Sequence, residues 1–241
     1  MSSESTSPVK TEIDLPSPDK WTFMWGFLHV VCTLFCTVWF RLRGYHQEKL
    51  PAKGGAILMM NHQSFLDPVL VGTVIRRTIS FVARDSLFKA PIIGFILKRV
   101  YTMPIRRESA TSSTIREAVR RLKHGFLVGL YPEGTRSPDG LVGTFKPGFL
   151  SILKRTDAPI IPVGIAGAYE AMPRSSVWIR PKKICVVFGD PISHEEIQAH
   201  FDSDQSDKEF VEFLRQRVVE CQNEANARRQ GKPIPTKTAG T

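Results

Sequence analysis

The feature of this 241-residue chain that most restricts its fold is the regular exchange, after Tyr45, of short apolar runs for stretches with helical spacing. Ala56 to Met60, Ile79 to Ala83, Val100 to Ile105, Phe126 to Tyr131, Ile160 to Ile165 and Ile184 to Phe188 are rich in β-branched or aromatic residues and read as strands. Between them, Ser109 to His124 sets Ile115, Ala118, Val119 and Leu122 at helical spacing, with Arg116, Arg120, Arg121 and Lys123 on other, solvated faces. Pro91 to Val100 and Gly148 to Arg155 read as shorter helices. Strands that alternate with helices predict the α/β class, here a single mixed, largely parallel sheet flanked by helices. Toward the end, Phe210, Phe213, Leu214, Val218 and Cys221 form the apolar stripe of a docking helix, and residues 228–241 read as a polar, mobile tail.

With 42% of residues hydrophobic, the chain can bury one substantial core but hardly two, so one folded domain is expected over residues 44–227. Residues 1–20 are rich in Ser, Thr, Pro and acids and read as a disordered tail. Trp21 to Phe40 contains no Asp, Glu, Lys or Arg, close to the roughly 20 apolar residues that cross about 30 Å of hydrocarbon. Tryptophans lie near both ends, and Arg41 and Arg43 follow. Residues 21–43 are therefore expected to be an apolar, membrane-associated helix, either spanning the bilayer or embedded in one leaflet, with the arginines and the domain after them on the cytoplasmic face. The acidic residues before it (Glu4, Glu12, Asp14, Asp19) disfavour a cleaved signal peptide. A net charge of +10 fits nucleic acid, an anionic membrane or polyanionic substrates, and charge alone does not choose among them. Four scattered cysteines form neither a disulfide framework nor a zinc spacing, which points to a reducing compartment.

Most of the chemistry lies in Asn61-His62-Gln63-Ser64-Phe65-Leu66-Asp67, at the end of the apolar run Gly55 to Met60. On a regular helix, residues five apart leave a common face; a strand end that turns into a helix start can instead fold Asp67 back onto His62. A carboxylate on one ring nitrogen fixes the tautomer and supports the imidazolium formed when the other nitrogen takes a proton from a hydroxyl. Standing alone, such a pair more often only caps a strand and the helix after it. Ser64 could suggest an acyl-enzyme, but its place at a helix start is better explained by capping.

Other segments add to the pair. Tyr131-Pro132-Glu133-Gly134-Thr135-Arg136 follows a strand, in the loop position where α/β sheets bind ligands. There Glu133 has three readings: acceptor for a polyol hydroxyl, partner of a basic residue, or simple turn chemistry. Met103-Pro104-Ile105-Arg106-Arg107 ends a strand in two guanidinium groups suited to phosphate. Phe145-Lys146-Pro147-Gly148 places a cation just before a helix, and Ile160-Ile161-Pro162-Val163-Gly164 is a further strand.

In this order the segments resemble the lysophosphatidic acid acyltransferases, the PlsC-like glycerolipid acyltransferase family, over approximately Gly44 to Pro191. The resemblance implies that His62 is the general base and Asp67 its orienting partner. It implies that Arg107 meets the acceptor phosphate and that Glu133, Gly134, Thr135 and Arg136 shape the acceptor pocket. Lys146 resembles a commonly basic position beside that pocket, and Pro162 one linked to the acyl side. Tyr131 departs from the more usual Phe. The activity implied is acyl transfer from acyl-CoA or acyl-carrier protein to the free hydroxyl of 1-acylglycerol-3-phosphate, making phosphatidic acid. Partners are then membrane lipids, the lysophospholipid acceptor and the acyl donor, with no cofactor, metal or nucleic acid. Transfer to another lysolipid, a lyso-ornithine lipid or a lysophospholipid in remodelling, is the near alternative. A membrane-anchored basic binding module is the distant one and lacks basic residues interleaved with aromatics; a metal-dependent hydrolase lacks a second His/Asp cluster.

Overall fold

A computed structural model describes residues 23–89, 94, 95, 97, 101–105, 112–204 and 206–234. Among the described residues, seven strands form one sheet: β1 (Arg43–Tyr45), β2 (Ala56–Met60), β3 (Ile79–Arg84), β4 (Met103–Ile105), β5 (Leu127–Leu130), β6 (Ile160–Ala166) and β7 (Cys185–Phe188), in the order β1-β7-β6-β2-β5-β3-β4. From β6 to β4 all neighbours run parallel; β7 is antiparallel to β6, and β1 is parallel to β7. The parallel ladders need the crossover connections that the helical stretches between the strands provide.

Side-chain alternation divides the core into two layers. Along β2, Ala56, Leu58 and Met60 face a cluster with Leu70 and Val71 of α2 (Asp67–Val74), together with Cys36 and Phe40 at the end of α1 (Phe23–Trp39). Ile57 and Met59 face the opposite cluster, built with α3 (Ser112–Lys123), α4 (Leu150–Leu153), α6 (His194–Phe201) and α7 (Asp207–Gln230). A short helix α5 (Ala168–Ala171) follows β6. Helices on both faces explain why the strands read as continuous apolar runs instead of alternating ones. Capping boxes at Ser193/Glu196 and Ser206/Glu209 start α6 and α7, satisfying amides that a helix start leaves open. At Gly164 an added Cβ would meet the backbone of Cys221 and Gln222, so the glycine lets α7 lie directly on β6.

Several boundaries differ from the sequence expectation. β1 has no apolar run to announce it; the strand forms because the Ile184 amide donates to the Phe40 carbonyl (3.1 Å) and the Arg43 amide to the Ile184 carbonyl (3.1 Å), zipping residues 40–43 onto β7. A domain boundary at 43/44 therefore falls inside β1, and with Cys36, Phe40 and Leu42 buried the end of the apolar segment belongs to the core of the α/β domain. The expected tail also begins later than 228. α7 continues to Gln230, because Arg228 stacks on the Tyr45 ring (4.2 Å) and bonds Glu224 (2.7 Å), and Gly231 ends the helix at φ 69. The expected helix Gly148 to Arg155 is a single 3-10 turn, Pro147–Phe149, running into α4. Within Pro91 to Val100, Gly94, Phe95 and Leu97 are helical and the remaining positions lie outside the described residues, as do residues 1–22. Among the described residues no helix is long and apolar enough to cross a membrane.

Candidate active site

The carboxyl ends of β2, β5 and β6 open onto one edge of the sheet, and three chain segments meet there: Asn61 to Asp67, Tyr131 to Lys146 and Gly167 to Ala171. His62 leaves β2 at this edge, and the chain turns at once into α2, whose first residue is Asp67. The turn closes because Asp67 Oδ2 accepts hydrogen bonds from the amides of Gln63 (2.7 Å) and Ser64 (2.8 Å). The same oxygen takes His62 Nδ1 at 2.8 Å. An ionised carboxylate only accepts, so the proton sits on Nδ1 and the lone pair of Nε2 is left for a substrate.

Asp67 is completely buried. Burial pushes its pKa up from the ordinary 3.8, against the lowering pull of the His62 bond and charge and of the Ser64 and Gln63 amides. The imidazole itself is clamped from the side: the Tyr131 ring stacks on it with centroids 4.2 Å apart and planes 25° apart, and Phe81 backs Tyr131 at 6.4 Å. Burial, with the Asp67 charge second, drives the Tyr131 phenol well above its usual range, so it stays neutral. The position that departs from the more usual Phe therefore keeps an aromatic plate against the imidazole.

Glu133 does not occupy the acceptor role that was one reading of its position. Its carboxylate is buried, Oε1 accepting the His62 amide (2.9 Å) and Oε2 the Gly143 amide (3.1 Å). Burial raises its pKa; the two amides and the His62 charge pull it down, and Asp67 adds to the rise. With the Ser137 amide donating to the His62 carbonyl (2.7 Å), the His62 backbone is held at both its polar atoms by the loop after β5. That loop turns at Gly134, where φ is 70; a Cβ there would lie 3.3 Å from Lys146 Nζ. Lys146 is anchored through its amide to the Pro132 carbonyl (2.9 Å), with its side chain exposed beside the turn. Thr135 is exposed, its hydroxyl 3.4 Å from Arg174 Nη1, and Arg136 is half-buried in the same loop. Arg106 and Arg107 lie outside the described residues.

Ser64 is buried, and its hydroxyl donates to the Met172 carbonyl (2.8 Å) while accepting the Leu66 amide (3.3 Å), the bonding of a turn-closing serine. Pro162 sits within β6, opposite Met59, beneath the edge and not at it. Its carbonyl accepts the Gly189 amide (2.8 Å), so its nitrogen faces the β7 side of the strand, and the missing N–H removes no bond to β2.

Three further side chains hold the edge together. Asn61 exchanges two bonds with Ile165 (3.0 and 2.7 Å), continuing the β2–β6 ladder past its end. Gln63 donates to the Gly140 carbonyl (2.6 Å) and accepts from the Ala168 and Tyr169 amides (3.1 and 3.3 Å). Gln222 of α7 also reaches Gly140 (2.7 Å). Amides in the buried flank of an apolar run must find partners, so Asn61 and Gln63 carried a signal of this role. Nothing in the sequence marked Arg174. Among the described residues, no group of three His, Cys, Asp or Glu side chains is placed to hold a metal ion.

The family model described as Acyltransferase matches residues 41–166, which contain His62, Asp67 and the loop from Tyr131 to Lys146. The chain is similar to a 1-acyl-sn-glycerol-3-phosphate acyltransferase of Bacillus subtilis (strain 168), 28% identical over 201 residues, covering 81% of this chain and 98% of that protein. It is similar to a chloroplast protein of the same description from Arabidopsis thaliana, 29% identical over 157 residues, covering 62% of this chain and 44% of the relative. Among solved structures, the 1-acyl-sn-glycerophosphate (LPA) acyltransferase PlsC from Thermotoga maritima superimposes with a TM-score of 0.66 at 27% identity, covering 81% of this chain and 79% of that one.

Proposed function

The chain belongs to the acyltransferase family, and we propose from that premise that it moves an acyl group from acyl-CoA or acyl-carrier protein to the free hydroxyl of 1-acylglycerol-3-phosphate, making phosphatidic acid. The observation that carries the reading is the His62 Nδ1 to Asp67 Oδ2 bond of 2.8 Å at the ligand-binding edge of the sheet. In the reaction, Nε2 takes the hydroxyl proton as the glycerol oxygen attacks the thioester carbonyl. Collapse of the tetrahedral intermediate breaks the C–S bond, and the departing thiolate takes the proton back from the imidazolium. Asp67 stabilises that cation while it exists; general-base catalysis of this kind is worth roughly a hundred- to ten-thousand-fold. The donor is a substrate, and the scheme needs no resident cofactor. Relatives described as 1-acyl-sn-glycerol-3-phosphate acyltransferases support the choice of acceptor.

Arg107 and Lys146 are the cations proposed to receive the acceptor phosphate, with Gly134, Thr135 and Arg136 forming the loop beside it. Glu133 acts through the His62 backbone as a positioning residue.

For localisation, we propose a protein embedded in one leaflet from the cytoplasmic side through α1. The helix buries Cys36 against the domain, whereas Phe23, Phe27, Val30, Val31, Leu34 and Val38 form a continuous exposed stripe at helical spacing. Flotation in high salt tests this: Val30→Asp combined with Leu34→Asp releases the protein from vesicles that retain the parent. The function is tested by incubating purified protein in detergent with a panel of labelled lysolipids and both classes of donor. Acylation of 1-acylglycerol-3-phosphate, lost in His62→Ala, is the expected result, and turnover confined to a different lysolipid would replace the acceptor.

A further inference from the structure

Between α5 and β7 the chain makes an excursion that the active site leaves unexplained. Its base is closed, since the Arg180 amide donates to the Ala171 carbonyl at 2.9 Å, so residues 172–179 form a compact projecting loop. The loop is internally braced: the Ser176 amide donates to the Pro173 carbonyl (3.0 Å), and the Trp178 amide donates to Ser176 Oγ (3.0 Å). At its tip Val177 is 82% and Trp178 78% exposed, with Ile179 exposed beside them. Three adjacent bare apolar side chains on a braced turn are costly in water and call for a partner.

The charges around the tip identify that partner. Arg174, Arg180, Lys182 and Lys183 flank it, and no acidic residue occurs from Met172 to Lys183. None of Arg174, Arg180 and Lys182 forms an ion pair with a described carboxylate. An exposed indole flanked in the chain by the exposed cations Arg174, Arg180 and Lys182 matches the headgroup layer of an anionic bilayer, where the indole sits at the interface and the cations meet lipid phosphates. The roots of the loop place it beside the chemistry. Met172 accepts the Ser64 hydroxyl, Arg174 reaches Thr135, and past the loop Ile184 bonds Phe40 at the end of α1.

We infer that the loop Pro173 to Arg180 is a second membrane-docking element, separate from α1, that seats Trp178 in the headgroup layer of an anionic membrane beside the catalytic edge. Its use in drawing lipid acceptor from that surface rests on the proposed function; the docking itself does not.

The test uses the full chain with vesicles of phosphatidylcholine alone and of phosphatidylcholine mixed equally with phosphatidylglycerol. Arg180→Gln combined with Lys182→Gln lowers partitioning onto the mixed vesicles by roughly ten- to thirty-fold and leaves binding to phosphatidylcholine unchanged. Trp178→Ala lowers partitioning onto both kinds of vesicle. Turnover of a soluble short-chain acceptor stays at the parental level in both variants, since none of these side chains touches the dyad. Parental partitioning of both variants on mixed vesicles overturns the inference. So does loss of binding to an acidic acyl-carrier protein with vesicle binding intact, which makes the loop a protein dock instead. If the parent acylates no lysolipid at all, the functional reading fails while the vesicle measurements still decide the docking.

Discussion

Two buried carboxylates stand on either side of His62, and they do different work. Asp67, in the turn after β2, spends one oxygen on the imidazole and two amides and leaves the other without a described partner. Glu133, in the loop after β5, divides its two oxygens between two backbone amides and touches no other side chain by a described hydrogen bond. Burial raises both pKa values. The difference is in what each charge faces: Asp67 faces a ring that becomes cationic in the proposed reaction, whereas Glu133 faces dipoles that never change. A carboxylate of the first kind supports a developing charge, and one of the second kind fixes a geometry.

The largest effect that can break this distinction is loss of the dyad. His62→Ala reduces kcat by roughly a hundred- to ten-thousand-fold with an unchanged circular dichroism spectrum, and near-parental turnover in a folded variant would end the mechanism. Asp67→Asn keeps an oxygen for Nδ1 but removes the charge, so its turnover falls almost as far. Its stability moves the other way. A folded-state pKa raised above 3.8 gives a contribution that is complete below that value and is lost as pH rises through the folded value. Near neutral pH the parent therefore carries the cost of an ionised buried Asp67, and Asp67→Asn melts at a higher temperature. The gain disappears on acidification below 3.8; thermal melts across pH read it directly.

Glu133→Gln sharpens the contrast. Its pKa is raised from 4.5 in the same sense, but the new amide points an N–H at a backbone N–H of His62 or Gly143, and one hydrogen bond to a charged acceptor, about 1.5 to 3 kcal/mol, is lost. The melting temperature falls at neutral pH instead of rising. Displacement of the base lowers kcat by about ten- to a hundredfold, with KM little changed. A stabilised Glu133→Gln would put the two carboxylates in one class.

Gly134→Ala tests the loop without touching either carboxylate. A side chain at φ 70 costs roughly 1 to 2 kcal/mol and crowds Lys146, so KM for a phosphate-bearing acceptor rises more than kcat falls. The smallest effect on rate belongs to Ser64→Ala. Its hydroxyl is committed to Met172 and Leu66, so the change costs about 1 kcal/mol of stability and most activity survives. Intact-protein mass spectrometry with donor alone shows no acylated protein; a donor-dependent mass increase that Ser64→Ala removes would make the serine a nucleophile.

The sequence by itself determined the class of sheet and the pairing of His62 with Asp67. Six of the seven strands described were legible because each carries a short run rich in β-branched or aromatic residues, and β2 matches its expected span, Ala56 to Met60, to the residue. His62 and Asp67 were legible because a strand end, a turn and a helix start leave few ways to place positions five apart. Contacts between distant segments were decided only in three dimensions. β1 owes its strand to Ile184 and Phe40, which no local pattern announces. Glu133 looked like a pocket residue until folding brought the amides of His62 and Gly143 onto its two oxygens, 71 and 10 positions away. The apolar stretch before Arg41 read as a separate anchor, yet its final turn packs into the core while the rest of one face stays bare. Local sequence constrains backbone conformation and which side chains seek burial; which buried polar group finds which partner depends on the packing of segments far apart in the chain.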